Sequence, residues 1–242
     1  MLFALIAFAA TASAFEASVC GNNTLPLTPG KKNVLLIGDS ISMSPPYTPG
    51  GYGAALAALL TAKGVAVQHA GGAFSGGQCG DTRLGLICTN LTNPDGYLSF
   101  EGKFDLVHAN WGLHDLANYS AALPRLPLPQ YSANLQEIYR RIATKTSAFM
   151  WTSTTPAPNV TTSFGRTYTL VEEYNKAALV ALQAVVPGKL LVNDLWSAMV
   201  KYCGDHYTSC SLQLPANVHL TKDGIAFTAA AAAADILAAL GM

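Results

Sequence analysis

The sequence carries little charge, and this scarcity excludes several classes of protein. Only 12% of its 242 residues are charged, and 14 basic side chains balance 14 acidic ones. A nucleic-acid-binding chain shows a basic excess, so no nucleic-acid partner is predicted. The first strand-like run, residues 33–37, is not followed by a glycine-rich phosphate-binding pattern. This argues against a nucleotide-binding protein.

Cysteine is equally scarce, and its spacing argues against a metal site. The five cysteines include no C-x-x-C pair, so no zinc site is predicted. Cys79 and Cys88 lie close in sequence, as do Cys203 and Cys210, which predicts two local disulfides. Each bridge would add roughly 2–3 kcal/mol by the loop-entropy model. Cys20 is then unpaired or linked to another chain.

The N-terminal apolar run is short. The first residues, MLFALIAFAATASA, span a bilayer poorly and end in an A-x-A pattern. We interpret residues 1–14 as a secretory signal, the alternative being a buried N-terminal strand or helix. Residues 15–32 then form an extension and residues 33–242 the main domain. Four N-x-[ST] sequons also suit a secreted protein with no membrane span after cleavage. They begin at Asn22, Asn90, Asn118 and Asn159.

Five short apolar runs alternate with helical patterns along the chain. The runs are Asn33–Ile37, Val65–His69, Asp105–Asn110, Ala148–Thr152 and Leu190–Asn193. The helical patterns are Gly53–Lys63, Tyr131–Thr146, Thr169–Val185 and a last one from Thr221 to Leu240. Strands that alternate with helices at this spacing form a parallel sheet with helices on both faces. The prediction is an α/β protein, a three-layer αβα sandwich around a mainly parallel five-stranded sheet.

Long irregular stretches separate these elements. They cover residues 70–104, 115–130, 153–166 and 203–218. The first three begin at, or shortly after, the end of a predicted strand, so they should gather at one edge of the sheet. Because compact domains rarely keep such loops unless they bind or cover something, this edge is the expected functional site.

The stretch VLLIGDSISM, residues 34–43, sets Asp39 and Ser40 directly after a strand. Parallel α/β sheets place their chemistry beyond the carboxyl ends of such strands, which suggests a reactive serine. On this stretch alone, a turn in which both residues cap the next helix is the simpler interpretation. Two further stretches offer a histidine at the same edge. His114 lies in FDLVHANWGLHDL, residues 104–116, and His219 lies in NVHLTKDGIAF, residues 217–227.

Together these blocks resemble those of the SGNH (GDSL-type) hydrolases. Gly38-Asp39-Ser40 matches the G-D-S-L block, with Ile41 in place of leucine. The loop GGAFSGGQCGDTRLG corresponds to the glycine block, GLHD to G-x-N-D, and the His219 segment to D-x-x-H. The blocks follow the family's order over residues 33–240. The resemblance implies the flavodoxin-like SGNH fold and ester hydrolysis.

The resemblance also assigns a role to each matching residue. Ser40 would be the nucleophile, and its own backbone N–H would donate to the oxyanion. Gly80 would supply a second donor, with Gly77 as the runner-up. His219 would be the general base and later the acid that protonates the leaving alcohol.

Two departures from the family pattern leave alternatives open. His114 replaces the G-x-N-D asparagine, so the third oxyanion donor is either its imidazole or the amide of Asn110. The D-x-x-H acid is missing, so Asn217 or a backbone carbonyl is predicted to orient His219. Asp194 is the other candidate, although capping the next helix is a sufficient role for it.

The expected function is a secreted serine ester hydrolase that forms an acyl-enzyme, with a small-molecule or glycan ester, such as an O-acetyl glycan, as substrate. No metal or organic cofactor is implied, and the oligomeric state is left open. One alternative is a catalytically impaired glycan- or acyl-binding protein of the same fold, because the acid is missing. Another is a lipase or lysophospholipase of this fold.

Overall fold

A five-stranded parallel sheet forms the centre of the protein. The computed structural model describes residues 20, 26–42, 50–70, 80–121, 123–160, 162–186 and 190–242. The strands are β1 (Asn33–Ile37), β2 (Ala66–His69), β3 (Leu106–Ala109), β4 (Phe149–Thr152) and β5 (Leu191–Asn193). They lie in the order β2-β1-β3-β4-β5, and every neighbouring pair is parallel. The predicted sheet is confirmed.

Six α-helices in the described residues cover both faces of this sheet. They are α1 (Gly53–Ala62), α2 (Thr82–Cys88), α3 (Leu128–Ala143), α4 (Tyr168–Val185), α5 (Leu195–Cys203) and α6 (Lys222–Ala239). α1 packs against α6, which also contacts α5, while α3 packs between α2 and α4. The two groups form the outer layers of the predicted αβα sandwich. None of the described helices has the length and apolar character to cross a membrane.

The sequence explains these elements locally. All residues of β1, β3 and β4 are buried, as continuous apolar strands between two helical layers should be. Side-chain caps start the last three helices, because Asp194, Thr167 and Thr221 accept hydrogen bonds from the first-turn N–H groups of α5, α4 and α6. The cap on α6 fixes where the chain leaves the loop that carries His219.

The stretch 70–104 is not wholly irregular, which corrects the sequence prediction. It contains α2, whose N-cap Asp81 accepts hydrogen bonds from the N–H groups of Arg83 and Leu84. The helix has only seven residues and includes Gly85, which lowers helix propensity. Gly85 is nevertheless required here, since a Cβ would lie 2.7 Å from Ile138 Cδ1 of α3. Close packing against a neighbouring helix therefore outweighs propensity.

The cysteine pairing differs from the prediction. Cys203–Cys210 is present, but Cys88 pairs with Cys20, so the predicted Cys79–Cys88 bridge and an unpaired Cys20 are both wrong. Cys79 itself lies outside the described residues. Short spacing lowers the entropy cost of closing a loop but does not set where a side chain points. Cys88 ends α2 in the core, where the N-terminal extension reaches it across 68 residues of sequence.

The strand order creates a crevice at one sheet edge. The chain leaves β1 towards β2 on one side and later returns to place β3 on the other side. Such a switch point between two strands is where open α/β sheets bind ligands, beyond the carboxyl ends. Ser40 follows β1 and His114 follows β3, so both lie at this crevice.

Candidate active site

The turn after β1 holds Ser40 at the crevice. Asp39 accepts a hydrogen bond from Ile41 N at 2.9 Å through its carboxylate, and its carbonyl accepts one from Ser42 N at 3.0 Å. Gly38 is needed because a Cβ there would lie 2.3 Å from Ser42 Cβ. Asp39 therefore stabilises the turn through its backbone contacts, and Ser40 remains as the side chain with nucleophilic chemistry.

His219 meets Ser40 across 179 residues of sequence. Its Nε2 lies 2.9 Å from Ser40 Oγ, and its Nδ1 lies 2.8 Å from Asn217 Oδ1. The same Oδ1 accepts a hydrogen bond from His219 N at 3.0 Å, which identifies that amide atom as the oxygen. Nδ1 is therefore the protonated nitrogen, and Nε2 presents a lone pair to the serine hydroxyl. This is the tautomer that a general base requires.

The loop that carries His219 is fixed at several backbone positions. Leu214 N donates to His219 O at 2.9 Å, and Leu220 N donates to Gly50 O at 3.0 Å. Gly224 approaches so closely that a Cβ would lie 1.9 Å from Leu212 O. These contacts set the position of the imidazole before any substrate binds.

No carboxylate contacts the His219 ring among the described residues. Burial lowers the pKa of His219, the negative charge of Asp39 opposes this shift, and Arg166 adds to it. Asp194 lies elsewhere: it accepts hydrogen bonds from Ser153 Oγ at 3.0 Å and from Ser197 N at 3.1 Å as the cap of α5. His219 is thus a neutral base whose Nδ1 bonds to an amide oxygen instead of a carboxylate.

The hydrogen bond at Nδ1 of His114 runs in the opposite direction to the one at Nδ1 of His219. Tyr119 Oη lies 2.8 Å from that nitrogen and accepts a hydrogen bond from Arg166 Nη2 at 2.8 Å. The phenol proton then has His114 Nδ1 as its acceptor, which leaves the imidazole proton on Nε2. Burial lowers the pKa of His114, the negative charge of Asp39 opposes this shift, and the positive charge of Arg166 adds to it. His114 is therefore a neutral N–H donor within electrostatic range of the Ser40–His219 pair.

The glycine block is tied to the His114 loop through Asp115. Asp115 Oδ1 accepts hydrogen bonds from Thr82 N at 2.8 Å and Thr82 Oγ1 at 2.6 Å, at the start of α2. Burial raises the pKa of Asp115 to about 8. Gly80 lies two residues before Thr82 and takes a positive φ of 48°, so this anchor holds its segment beside the loop after β3. Gly77, the runner-up donor, lies outside the described residues.

Asn110 has a structural role instead of the predicted oxyanion role. Its Nδ2 donates to Thr152 O at 2.7 Å and to Thr154 Oγ1 at 3.2 Å, which uses both amide protons. The side chain thereby links the ends of β3 and β4. Proximity in sequence to GLHD suggested Asn110, but its side chain bonds across to the neighbouring strand.

Two residues that sequence reasoning missed complete the site. Tyr119 comes from the stretch 115–130 and Arg166 from the stretch 153–166, both predicted to gather at this edge. A cavity of about 130 Å³ lies beside His219 and is lined by Arg166, Phe164 and Val218 among others. No local motif marks these side chains, and only the loop positions pointed to this region. Among the described residues, no cluster of three His, Cys, Asp or Glu side chains is arranged to hold a metal ion.

Comparison with known proteins identifies the fold. No family model and no curated protein matches the sequence. Among solved structures, the acetylxylan esterase Axe2 from Geobacillus stearothermophilus matches with a TM-score of 0.61 and 16% identity, over 89% of this chain and 97% of that one. The acetyl xylan esterase AlAXEase matches with 0.61 and 14%, over 84% and 99%.

A GDSL-like lipase from Bacteroides thetaiotaomicron also matches. Its TM-score is 0.60 at 13% identity, over 95% of this chain and 97% of that one. At these identities the likeness concerns the fold. The fold expected from the SGNH resemblance is thus confirmed over nearly the whole chain.

Proposed function

We propose that this chain, which has the fold of the SGNH hydrolases, is a serine ester hydrolase that works through an acyl-enzyme on Ser40. The observation that carries the proposal is the 2.9 Å contact between Ser40 Oγ and His219 Nε2, with Asn217 fixing the basic tautomer. Serine is a poor nucleophile until a positioned base takes its proton. An impaired binding protein has no need of this arrangement, which disfavours that alternative.

In the first step Ser40 Oγ attacks the ester carbonyl carbon while His219 Nε2 takes the hydroxyl proton. The carbonyl oxygen becomes an oxyanion, which the backbone N–H groups of Ser40 and Gly80 and the Nε2–H of His114 stabilise. The intermediate collapses, the C–O bond to the alcohol breaks, and His219 returns the proton to the leaving oxygen. Water then attacks the acyl-enzyme with His219 again as base, and Ser40 is released with its proton.

The proposed substrates are acyl esters of extracellular glycans, and O-acetyl esters are the preferred candidates among them. Two of the structural neighbours are acetylxylan esterases. The signal-like N-terminus suits a secreted enzyme. Three sequon asparagines are exposed, and two disulfides are present, as a secreted protein would have. The exposed sequons begin at Asn90, Asn118 and Asn159, while Asn22 lies outside the described residues.

The first test uses a fluorophosphonate probe together with 4-nitrophenyl acetate. The wild type should be labelled once per chain and should hydrolyse the ester. Ser40→Ala should abolish labelling and lower kcat by about 10⁴-fold or more, because the nucleophile is lost. Ser42→Ala is the matched control, since Ser42 lies in the same turn and contacts Tyr52 Oη at 3.3 Å. Well-folded wild type without labelling, or labelling that survives in Ser40→Ala, would contradict the proposal.

A further inference from the structure

Arg166 is a buried cation for which the described residues provide no anionic partner. Its side chain belongs to a residue that is 7% exposed, yet no carboxylate lies within ion-pair distance of it among the described residues. Of the residues outside that description, only Glu16 is acidic. Buried charges are normally paired because leaving water is costly. An unpaired one beside a site therefore calls for a ligand.

The contacts of Arg166 hold it in place without neutralising it. Nε donates to Leu113 O at 2.9 Å and Nη2 donates to Tyr119 Oη at 2.8 Å, while Nη1 makes no hydrogen bond to a described residue. The guanidinium carbon also lies 5.3 Å from the centre of the Phe164 ring. These partners are neutral, so the guanidinium keeps its full charge and has unused donors.

The location of Arg166 relates this charge to the reaction. Arg166 and His219 line the same cavity of about 130 Å³. Because His219 protonates the leaving oxygen, the alcohol departs on the side of that imidazole. Asp81 pairs with Arg83, and neither Asp81 nor Asp39 forms an ion pair with Arg166.

We propose that this cavity binds the alcohol portion of the substrate and that Arg166 recognises a carboxylate on it. The inference rests on the proposed ester hydrolysis and names the class of alcohol, of which a uronic acid unit of a glycan is one example. A planar guanidinium with free N–H groups matches a carboxylate in shape and charge. A bound carboxylate also offsets the positive charge that otherwise opposes protonation of His219.

The test compares two acetyl esters that differ in one group, 4-acetoxybenzoate and 4-acetoxybenzamide. Each kcat/KM is divided by the hydroxide-catalysed rate of the same ester, which removes the difference between the leaving phenols. The wild type should prefer the benzoate by about tenfold to hundredfold, the range for a charge-assisted hydrogen bond. The preference should fall to about one in Arg166→Gln and survive in part in Arg166→Lys.

The ratio separates recognition from general damage, because both esters share the acyl group and the catalytic steps. Arg125→Gln is the matched control: Arg125 Nη2 donates to Gly165 O at 3.2 Å, next to Arg166, but does not line the cavity. It should keep the wild-type ratio. A wild-type ratio near one, or equal ratios in wild type and Arg166→Gln, would overturn the proposal while leaving ester hydrolysis intact.

Binding of the product alcohols tests the cavity without turnover. Calorimetry on Ser40→Ala should show 4-hydroxybenzoate binding more tightly than 4-hydroxybenzamide, and Arg166→Gln in the same background should remove the difference. If the wild type hydrolyses no ester, the proposed function fails, and this measurement alone decides whether the cavity takes an anion. Equal binding of the two alcohols would refute the role of Arg166.

Discussion

Two histidines lie on different loops at the same sheet edge as Ser40, and their surroundings give them opposite properties. His219 donates from Nδ1 to Asn217 Oδ1 and presents a bare Nε2 to Ser40 at 2.9 Å. At His114, the Tyr119 hydroxyl lies 2.8 Å from Nδ1, and Arg166 donates to that hydroxyl, so the proton stays on Nε2. Burial lowers the pKa of both rings, so both are neutral near pH 7.

This difference teaches that the partner of Nδ1 decides what a neutral imidazole does at Nε2. An acceptor such as the Asn217 oxygen makes a base, and a donor such as the Tyr119 hydroxyl makes an electrophile. In the proposed mechanism, one residue type thereby supplies both a proton acceptor and an oxyanion donor. Neither function requires a carboxylate at the ring.

The strongest way to break the comparison is to remove each ring in turn. His219→Gln should lower kcat/KM by about 10⁴-fold or more, because the nucleophile loses its base. His114→Leu, which leaves no donor at this position, should cost only about 10²–10³-fold, the usual loss for one oxyanion donor. The His114 loss should fall on kcat with KM nearly unchanged, since the oxyanion exists only beyond the ground state. Steady-state kinetics on 4-nitrophenyl acetate measures both.

Equal losses in the two variants would show that the rings do not have separate roles. A His114→Leu enzyme with wild-type kcat would remove His114 from the oxyanion site. Thermal unfolding of each variant serves as the control for folding.

A second prediction sharpens the comparison at Asn217. Burial and Arg166 hold the pKa of His219 below its usual 6.5, so the acid limb of kcat/KM should lie below that pH in the wild type. Asn217→Asp puts a negative charge where the amide oxygen now lies 2.8 Å from Nδ1, which favours the protonated ring. The limb should move up by about one pH unit or more, and kcat on the plateau should rise by about tenfold.

The direction of the shift follows from the charge. A carboxylate at position 217 stabilises the protonated imidazole and raises its pKa, so the acid limb of kcat/KM moves to higher pH. Asn217→Ala is the companion variant, and it should lower kcat because the tautomer is no longer fixed. A pH profile of Asn217→Asp that overlays the wild type would mean that this position does not hold the ring.

Most of the fold could be predicted from local sequence patterns. Each predicted strand agrees with the observed one to within a residue at either end. The fully buried strands β1, β3 and β4 are mostly apolar, as strands covered on both faces should be. The predicted Tyr131–Thr146 helix begins earlier, at Leu128, since Pro129 in its first turn suits a helix start. Where packing decides instead of pattern, as in α2 with Gly85, the prediction failed.

The same distinction between local pattern and long-range contact applies to the residues of the candidate site. The meeting of Ser40 and His219, at 2.9 Å, could be predicted because each follows or precedes a recognisable element, while their catalytic roles belong to the proposed function. Tyr119 and Arg166 were missed because they act through contacts between two irregular loops, Arg166 Nη2 to Tyr119 Oη at 2.8 Å. Asn110 was assigned wrongly because sequence shows where a side chain starts but not which neighbouring strand it bonds to. Long-range contacts of this kind are not indicated by the local sequence.

The smallest predicted effect tests what holds His114 in its donor form. Tyr119→Phe removes the hydroxyl 2.8 Å from Nδ1 but leaves the imidazole in place. The ring can then carry its proton on either nitrogen, so part of the enzyme loses the Nε2–H donor, and kcat should fall by about tenfold at most with KM for neutral esters unchanged. A double-mutant cycle distinguishes this from a structural role: in the His114→Leu background the Tyr119→Phe change should cost almost nothing, because the group it orients is gone. If the cost is the same in both backgrounds, Tyr119 supports the site by another route, and the contrast between the two histidines does not depend on what lies at Nδ1 of His114.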